Sequence, residues 1–230
     1  MLLECRDINF TYPGAENPVF SHLSFNICSP GFHALFGPSG VGKTSFAKLL
    51  TRRLNNFSGN IRILDIDTLL YSYNLERLPG WSSVGRHLEK IVHPSLLDQM
   101  NDLIDTFGLR ECMKLRFSRL SLGQQNRINL VRYLLQDFQL LIMDESLANV
   151  DEPTREKIIL KIKEMFPDRL FLYISHNVME VSTFCSNILV FRNAYKTPQV
   201  LTIRGRDLQS GKTADRKKLE FTMLEIMNAS

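Results

Sequence analysis

Gly37-Pro38-Ser39-Gly40-Val41-Gly42-Lys43-Thr44 has its glycines, lysine and threonine at the spacing G-x-x-x-x-G-K-[ST]. Glycines let a backbone curl so that successive N–H groups point inward at an anion. The apolar residues 32–36 before the stretch predict a buried strand, and residues 45–54 after it predict a helix with one apolar face. A chance glycine-rich turn is the alternative, and the flanking strand and helix argue against it. The stretch therefore predicts a loop that holds phosphate at a helix N-terminus.

The residues of this loop divide the work of holding a triphosphate. The Lys43 ammonium would reach the β- and γ-phosphates, and the Thr44 hydroxyl would be a ligand of Mg²⁺. We expect the whole loop and the first helical residues to contact the nucleotide: Gly37, Pro38, Ser39, Gly40, Val41, Gly42, Lys43, Thr44 and Ser45.

Composition limits the class of protein. The 230 residues suffice for one large domain with a substantial core, and 44% hydrophobic and 23% charged residues are ordinary for a globular chain. A net charge of +4 is too small to indicate nucleic-acid binding. The four cysteines have no paired spacing, which argues against a zinc site or a disulfide framework and favours a reducing compartment. Charged residues near the N-terminus argue against a signal peptide, and no apolar run approaches the roughly 20 residues needed to span a bilayer.

Hydrophobic periodicity predicts one α/β domain over residues 1–230, with strands and helices alternating after the phosphate loop. Such alternation favours a mostly parallel sheet of the phosphate-loop NTPase type with helices on both faces. Two leading strands predict an antiparallel N-terminal β subdomain, and a helical insert is expected at about residues 75–125. The predicted strands are residues 2–10, 19–27, 32–36, 60–64, 140–143, 170–175, 188–192 and 200–204; the later helices are 123–136, 152–165 and 178–185.

A second chemical element is the apolar run at residues 140–143, which ends in Asp144 and Glu145. The carboxyl ends of parallel strands face the ligand crevice. Asp144 could bind Mg²⁺ there, directly or through water, and Glu145 could accept a proton from attacking water. An ordinary strand-to-turn transition is the alternative, and the phosphate loop makes it the weaker one.

The third element, Leu120-Ser121-Leu122-Gly123-Gln124-Gln125, resembles the LSGGQ signature of the ATP-binding cassette (ABC) ATPases. The resemblance covers nearly the whole chain. Tyr12 lies where the family has an adenine-stacking aromatic, Asp151 where it has the D-loop aspartate, and His176 where it has a switch histidine. Taken alone, the tyrosine would be a strand or turn residue and the histidine a structural one.

The resemblance implies two ATP molecules sandwiched between two head-to-tail copies. Ser121, Gly123 and Gln124 of one copy would then face the γ-phosphate bound to the other, with an exposed N–H at Gly123. The same residues also form an ordinary helix N-cap, in which Ser121 caps and Gln124 reaches back. Both can hold at once. Glu145 and His176 are the implied catalytic residues, and ATP and Mg²⁺ the implied cofactors.

The chain departs from the family pattern at three places. Leu122 replaces a glycine of the signature, and residues 146–151 differ from the usual D-loop sequence. Aligning Pro79 and Trp81 with the family's proline-tryptophan stretch puts Asn74 where a glutamine contacts Mg²⁺ or the attacking water. Asn74 carries the same amide one methylene shorter, so we expect it to serve the nucleotide and metal less readily.

The function implied by the resemblance is ATP binding and hydrolysis that power solute transport through separate membrane permease subunits. We expect a homodimer at the inner face of the cell membrane, working with permease subunits and a solute-binding protein. Residues 74–81 are similar to the corresponding loop in importers of nitrate, sulfonate and taurine. The alternatives are an ABC ATPase acting on ribosomes or DNA, a poorly hydrolysing nucleotide-sensing subunit, and a phosphate-loop kinase.

Overall fold

The computed structural model describes residues 1–74, 76 and 82–230. The strands in these ranges are β1 (Leu2–Phe10), β2 (Phe20–Ile27), β3 (Gly31–Phe36), β4 (Phe57–Leu64), β5 (Leu69–Tyr73), β6 (Leu140–Asp144), β7 (Leu170–Ile174), β8 (Asn187–Phe191) and β9 (Val200–Arg204). The α-helices are α1 (Lys43–Leu50), α2 (Val84–Ile91), α3 (Leu97–Thr106), α4 (Leu122–Leu134), α5 (Glu152–Met165), α6 (Val178–Phe184) and α7 (Arg216–Ala229).

The larger sheet has the strand order β5-β6-β7-β3-β8-β9. Its first five strands run parallel, and β9 pairs antiparallel with β8. β6 and β7 are buried at every position, which explains why they read as continuous apolar runs rather than alternating ones. The expected α/β fold with a mostly parallel sheet is confirmed.

Two hydrophobic clusters cover the two faces of this sheet. Leu141 and Met143 of β6 belong to the cluster that includes α4 and α5, whereas Leu140 and Ile142 belong to the cluster that includes α1 and the N-terminal strands. Successive side chains of a strand point to opposite faces, so one apolar strand supplies both layers. The sheet is thereby fixed between two layers, with the carboxyl ends of its five parallel strands at one edge.

The smaller sheet has the order β2-β1-β4, antiparallel throughout, and confirms the predicted N-terminal β subdomain. Between β5 and β6, helical segments α2 and α3 are joined to α4 by short 3₁₀ turns. Met100, Leu103 and Ile104 of α3 are buried, whereas Leu97, the first residue of this helix, is 39% exposed. The limits of a helical subdomain at about 75–125 stay a prediction.

Three differences from the sequence expectation have local causes. Helix α1 ends at Leu50 rather than at residue 54, because Arg52 has φ +55° and breaks the helical path. Strand β5 was not predicted, since its short run LLYSY has no clear alternation. Helix α7 was likewise not predicted, and it buries Thr222 and Ile226. None of the helices in the described part of the chain is long and apolar enough to cross a membrane.

Candidate functional site

The loop between β3 and α1 needs glycine at its first and last glycine positions. Gly37 has φ +146° and Gly42 has φ +100°. A Cβ at Gly37 would lie 2.3 Å from the Phe191 carbonyl oxygen, and one at Gly42 would lie 2.6 Å from side-chain atoms of Val19 and Phe20. Both the backbone conformation and the close packing exclude a side chain. Glycine at these two positions therefore has both a conformational and a steric reason.

Lys43 begins α1 and is almost fully buried. Its Nζ donates hydrogen bonds of 2.7 Å to the carbonyl oxygens of Gly37 and Pro38. Burial lowers the pKa of Lys43, and the nearby carboxylates of Asp144 and Glu145 oppose that shift. The ammonium is thus held against the inner wall of the loop, where it also lines a cleft.

Asp144, the last residue of β6, meets the loop from the other side. Its Oδ2 accepts a hydrogen bond from the Thr44 hydroxyl at 2.9 Å and one from the Tyr71 hydroxyl at 2.8 Å. Burial raises the pKa of Asp144, while these two hydrogen bonds lower it. A hydroxyl and a carboxylate oxygen are ligands that suit Mg²⁺, so the residues present fit that ion.

Asn74 follows β5 and lines a second cavity of about 370 Å³ together with Thr44, Asp144 and Glu145. Its Oδ1 accepts a hydrogen bond from Asn126 Nδ2 of α4 at 2.8 Å. The side chain is therefore near the predicted metal site but engaged with the helix that follows the signature. Pro79 and Trp81, on which its alignment depends, lie outside the described residues, so its role stays a prediction.

Glu145 and His176 follow neighbouring strands β6 and β7. Because parallel neighbours end at the same edge, two residues 31 positions apart in the chain come together. Glu145 Oε1 lies 3.0 Å from His176 Nε2, with side chains 40% and 49% exposed. Glu145 has φ +51°, an unusual value for a residue that is not glycine. Backbone conformations of this kind cluster at functional sites, which makes Glu145 a candidate functional residue.

A cleft of about 340 Å³ collects most of the predicted residues. Tyr12 stands at its rim, with its hydroxyl 2.9 Å from the Ser45 hydroxyl and its ring edge-to-face with Phe10. The residues that line the cleft are Tyr12, Val19, Ser39, Gly40, Gly42, Lys43, Thr44, Ser45, Asp144, Glu145, Ile174 and His176. A phosphate loop, a carboxylate pair and a histidine thus face one space.

The signature residues lie elsewhere. Ser121 caps α4 and Gln124 reaches back, so the predicted capping box is confirmed. The expected exposed N–H at Gly123 is wrong, because Gly123 is buried and a Cβ there would lie 2.7 Å from the Asn149 carbonyl oxygen. Asp151 caps α5 by accepting from the Thr154 N–H at 3.0 Å. None of these residues lines the cleft of its own chain.

Two contacts at the site have no counterpart in the sequence reasoning. One is the Tyr71 hydroxyl on Asp144, and the other is the buried Ser146 hydroxyl, which lies 3.0 Å from the Ser72 hydroxyl and 3.1 Å from the Ser72 carbonyl oxygen. Both depend on β5 lying beside β6. Predicting these two contacts would have required recognising residues 69–73 as a strand in the sequence.

Known proteins resemble the chain in sequence and in fold. The ATP-dependent lipid A-core flippase of Vibrio vulnificus (strain YJ016) is 30% identical over 198 residues, covering 76% of this chain and 34% of the flippase. The spermidine/putrescine import ATP-binding protein PotA of Fusobacterium nucleatum subsp. nucleatum is 26% identical over 214 residues, covering 85% of this chain and 56% of that protein. This chain thus spans about a third of the flippase and just over half of PotA.

A solved ATP binding subunit of an ABC transporter superposes with a TM-score of 0.78 at 17% identity, over 99% of this chain and 100% of that one. At that identity the likeness shows the fold alone. The family model described as ABC transporter matches residues 20–148, which is more than half of the chain. This match runs from β2 through the phosphate loop and the signature to the acidic end of β6. The chain therefore belongs to the ABC transporter family, as an ATP-binding domain.

Proposed function

We propose that the chain hydrolyses ATP with Mg²⁺ and that hydrolysis drives the transport of a solute through membrane-spanning partner subunits. The observation that supports this most is the single cleft that brings Lys43 and Thr44 of the loop together with Asp144, Glu145 and His176. A module that only bound nucleotide would not need the last two side chains at the edge of that cleft.

The chain's own residues divide the reaction as follows. Loop N–H groups and Lys43 would hold the β- and γ-phosphates. The Thr44 hydroxyl and Asp144 would hold Mg²⁺, which would supply neutralisation of phosphate charge. Glu145 accepts a proton from a water molecule as the oxygen of that water attacks the γ-phosphorus. The bond between the γ-phosphorus and the β–γ bridging oxygen breaks in this step. His176, 3.0 Å from Glu145, keeps that carboxylate in place and contacts the γ-phosphate.

A second copy would complete the site. Ser121, Gln124 and Asp151 do not line their own chain's cleft. Ser121 and Leu122 are exposed at the N-terminus of α4, an end that attracts anions. A head-to-tail homodimer brings this end to the γ-phosphate of the opposite copy. We propose that Gly123 acts there by letting α4 approach Asn149 rather than by touching phosphate.

We propose that this dimer works at the inner face of the membrane, with permease subunits and a solute-binding protein. PotA is named as the ATP-binding protein of an importer, and the flippase as an ATP-dependent protein. The similarity of residues 74–81 to importers of nitrate, sulfonate and taurine is the ground for proposing a small anionic solute. Identifying the membrane proteins that co-purify with the chain would test the partners.

Steady-state phosphate release with and without Mg²⁺ tests hydrolysis. Glu145→Gln removes the base but keeps the shape, and loss of a general base costs about 10²–10⁴-fold in rate. Glu152→Gln is the matched control, because Glu152 is exposed in the first turn of α5 and does not line the cleft. Wild-type release no faster than that of Glu145→Gln would refute the hydrolysis proposal and indicate a nucleotide sensor.

A further inference from the structure

Strand β5 places two tyrosines beside the carboxylate of β6. Tyr71 pairs with Ile142 and Tyr73 with Asp144 in the parallel register. Alternate residues of a strand share a face, so both tyrosines lie on the side where Asp144 points. Only one of them reaches it: the Tyr71 hydroxyl donates to Asp144 Oδ2 at 2.8 Å. The Tyr73 hydroxyl makes no hydrogen bond to the residues that the structure describes.

The two donors on Asp144 meet at the same oxygen. Oδ2 accepts from both Tyr71 and Thr44, whereas Oδ1 accepts no hydrogen bond from the described residues. Two donors on one oxygen resist rotation of the carboxylate. Because the Thr44 hydroxyl donates its proton to Asp144 in a hydrogen bond, the lone pairs of the hydroxyl oxygen remain free for a cation. Oδ2 of Asp144 is therefore anchored, whereas Oδ1 remains available to the metal or to a water bound to the metal.

Tyr71 is itself held in place. It is 5% exposed, and the Arg53 guanidinium lies 5.0 Å from its ring centroid and 5.1 Å from that of Tyr73. The two rings are 5.3 Å apart. A phenol hydroxyl carries its proton at neutral pH, so the Tyr71 hydroxyl is a hydrogen-bond donor. The hydrogen bond to Asp144 is therefore made by a fixed, protonated group.

We propose that Tyr71 is a positioning residue, which orients Asp144 toward the Mg²⁺ that accompanies the nucleotide. The inference rests on the proposed function for the presence of that ion. It differs from a packing role, because the ring of phenylalanine would fill the same space and stack on the same guanidinium. The hydroxyl alone carries the proposed effect.

The test compares Tyr71→Phe with Tyr73→Phe, which removes a hydroxyl from the neighbouring ring under the same Arg53. Binding of Mn²⁺ in the presence of ADP, followed by electron paramagnetic resonance, reports the metal step without turnover. A hydrogen bond to a carboxylate is among the stronger ones, so we expect Mn²⁺ to bind Tyr71→Phe about tenfold more weakly. Tyr73→Phe should stay within about twofold of wild type. ADP affinity in the presence of EDTA should be unchanged in both variants.

Three results would overturn the inference: wild-type Mn²⁺ affinity in Tyr71→Phe, an equal loss in Tyr73→Phe, or an equal loss of ADP affinity in EDTA. The last would show a general packing defect, which the melting temperature would also register. Failure of the proposed function is seen separately. A wild-type chain that binds Mn²⁺ and ADP but releases no phosphate would refute hydrolysis while leaving the role of Tyr71 intact.

Discussion

Replacing Gly123 by alanine tests how closely the signature helix must approach the segment after Glu145. Gly123 is the second residue of α4, where alanine would ordinarily favour a helix by up to about 1 kcal/mol. Here the added Cβ lies 2.7 Å from the Asn149 carbonyl oxygen, and an ordinary contact begins at 3.4 Å. The two elements must therefore separate by 0.7 Å (3.4 − 2.7).

That separation acts on a strained segment. Asn149 has φ +62° and Glu145, four residues earlier, has φ +51°. A misplacement of about 1 Å at a catalytic group can cost about 100-fold in rate. We expect Gly123→Ala to lose about 10- to 100-fold in turnover at saturating ATP. Overpacking costs about 1–3 kcal/mol, and the helical gain offsets part of it, so the net loss of stability should stay below about 3 kcal/mol.

Gly85→Ala is the matched control for this experiment. Gly85 is likewise the second residue of its helix, α2, and a Cβ there would lie 2.9 Å from the Met113 carbonyl oxygen. It does not line the cleft. Urea unfolding should therefore show a similar stability change in both variants, whereas phosphate release should show a turnover loss in Gly123→Ala only. Equal turnover in the two variants would refute the reasoning.

Three further outcomes are expected. Lys163→Met should lower the free energy of unfolding in urea by about 2–4 kcal/mol. The buried Lys163 ammonium donates at 2.7 Å to the partly exposed Asp207 and also to two carbonyl oxygens. A loss under about 1 kcal/mol would contradict this. Ser146→Ala should cost about 1–2 kcal/mol through its lost buried hydrogen bond, and an unchanged melting temperature would argue against that contact. Ellman's reagent at pH 8 should modify Cys28 alone in the native chain, because Cys28 is exposed and the other three cysteines are buried. Burial also raises the pKa of Cys5 to about 12. All four thiols should react in denaturant, and a second thiol that reacts fast in the native chain would show the burial to be wrong.

The sequence predicted most of the fold because each strong pattern has a local cause. Gly37 and Gly42 have positive φ values that favour glycine, which is a property of the loop backbone itself. The continuous apolar runs of β6 and β7 follow from burial on both faces. Ser121 caps its own helix. Where the local signal was weak, as in the short β5, prediction failed, and with it went the contacts of Tyr71 and Ser146.

The sequence by itself determined the chemistry, since the phosphate loop, the acidic strand end and the helix cap are each formed by residues that are adjacent in the chain. Only the tertiary structure decided which distant groups meet. Strand order brings His176 to Glu145, register brings Tyr71 to Asp144, and helix packing brings Gly123 to Asn149. The physical reason is that periodicity reports which face of an element is buried, whereas the partner on that face is set by how the elements pack.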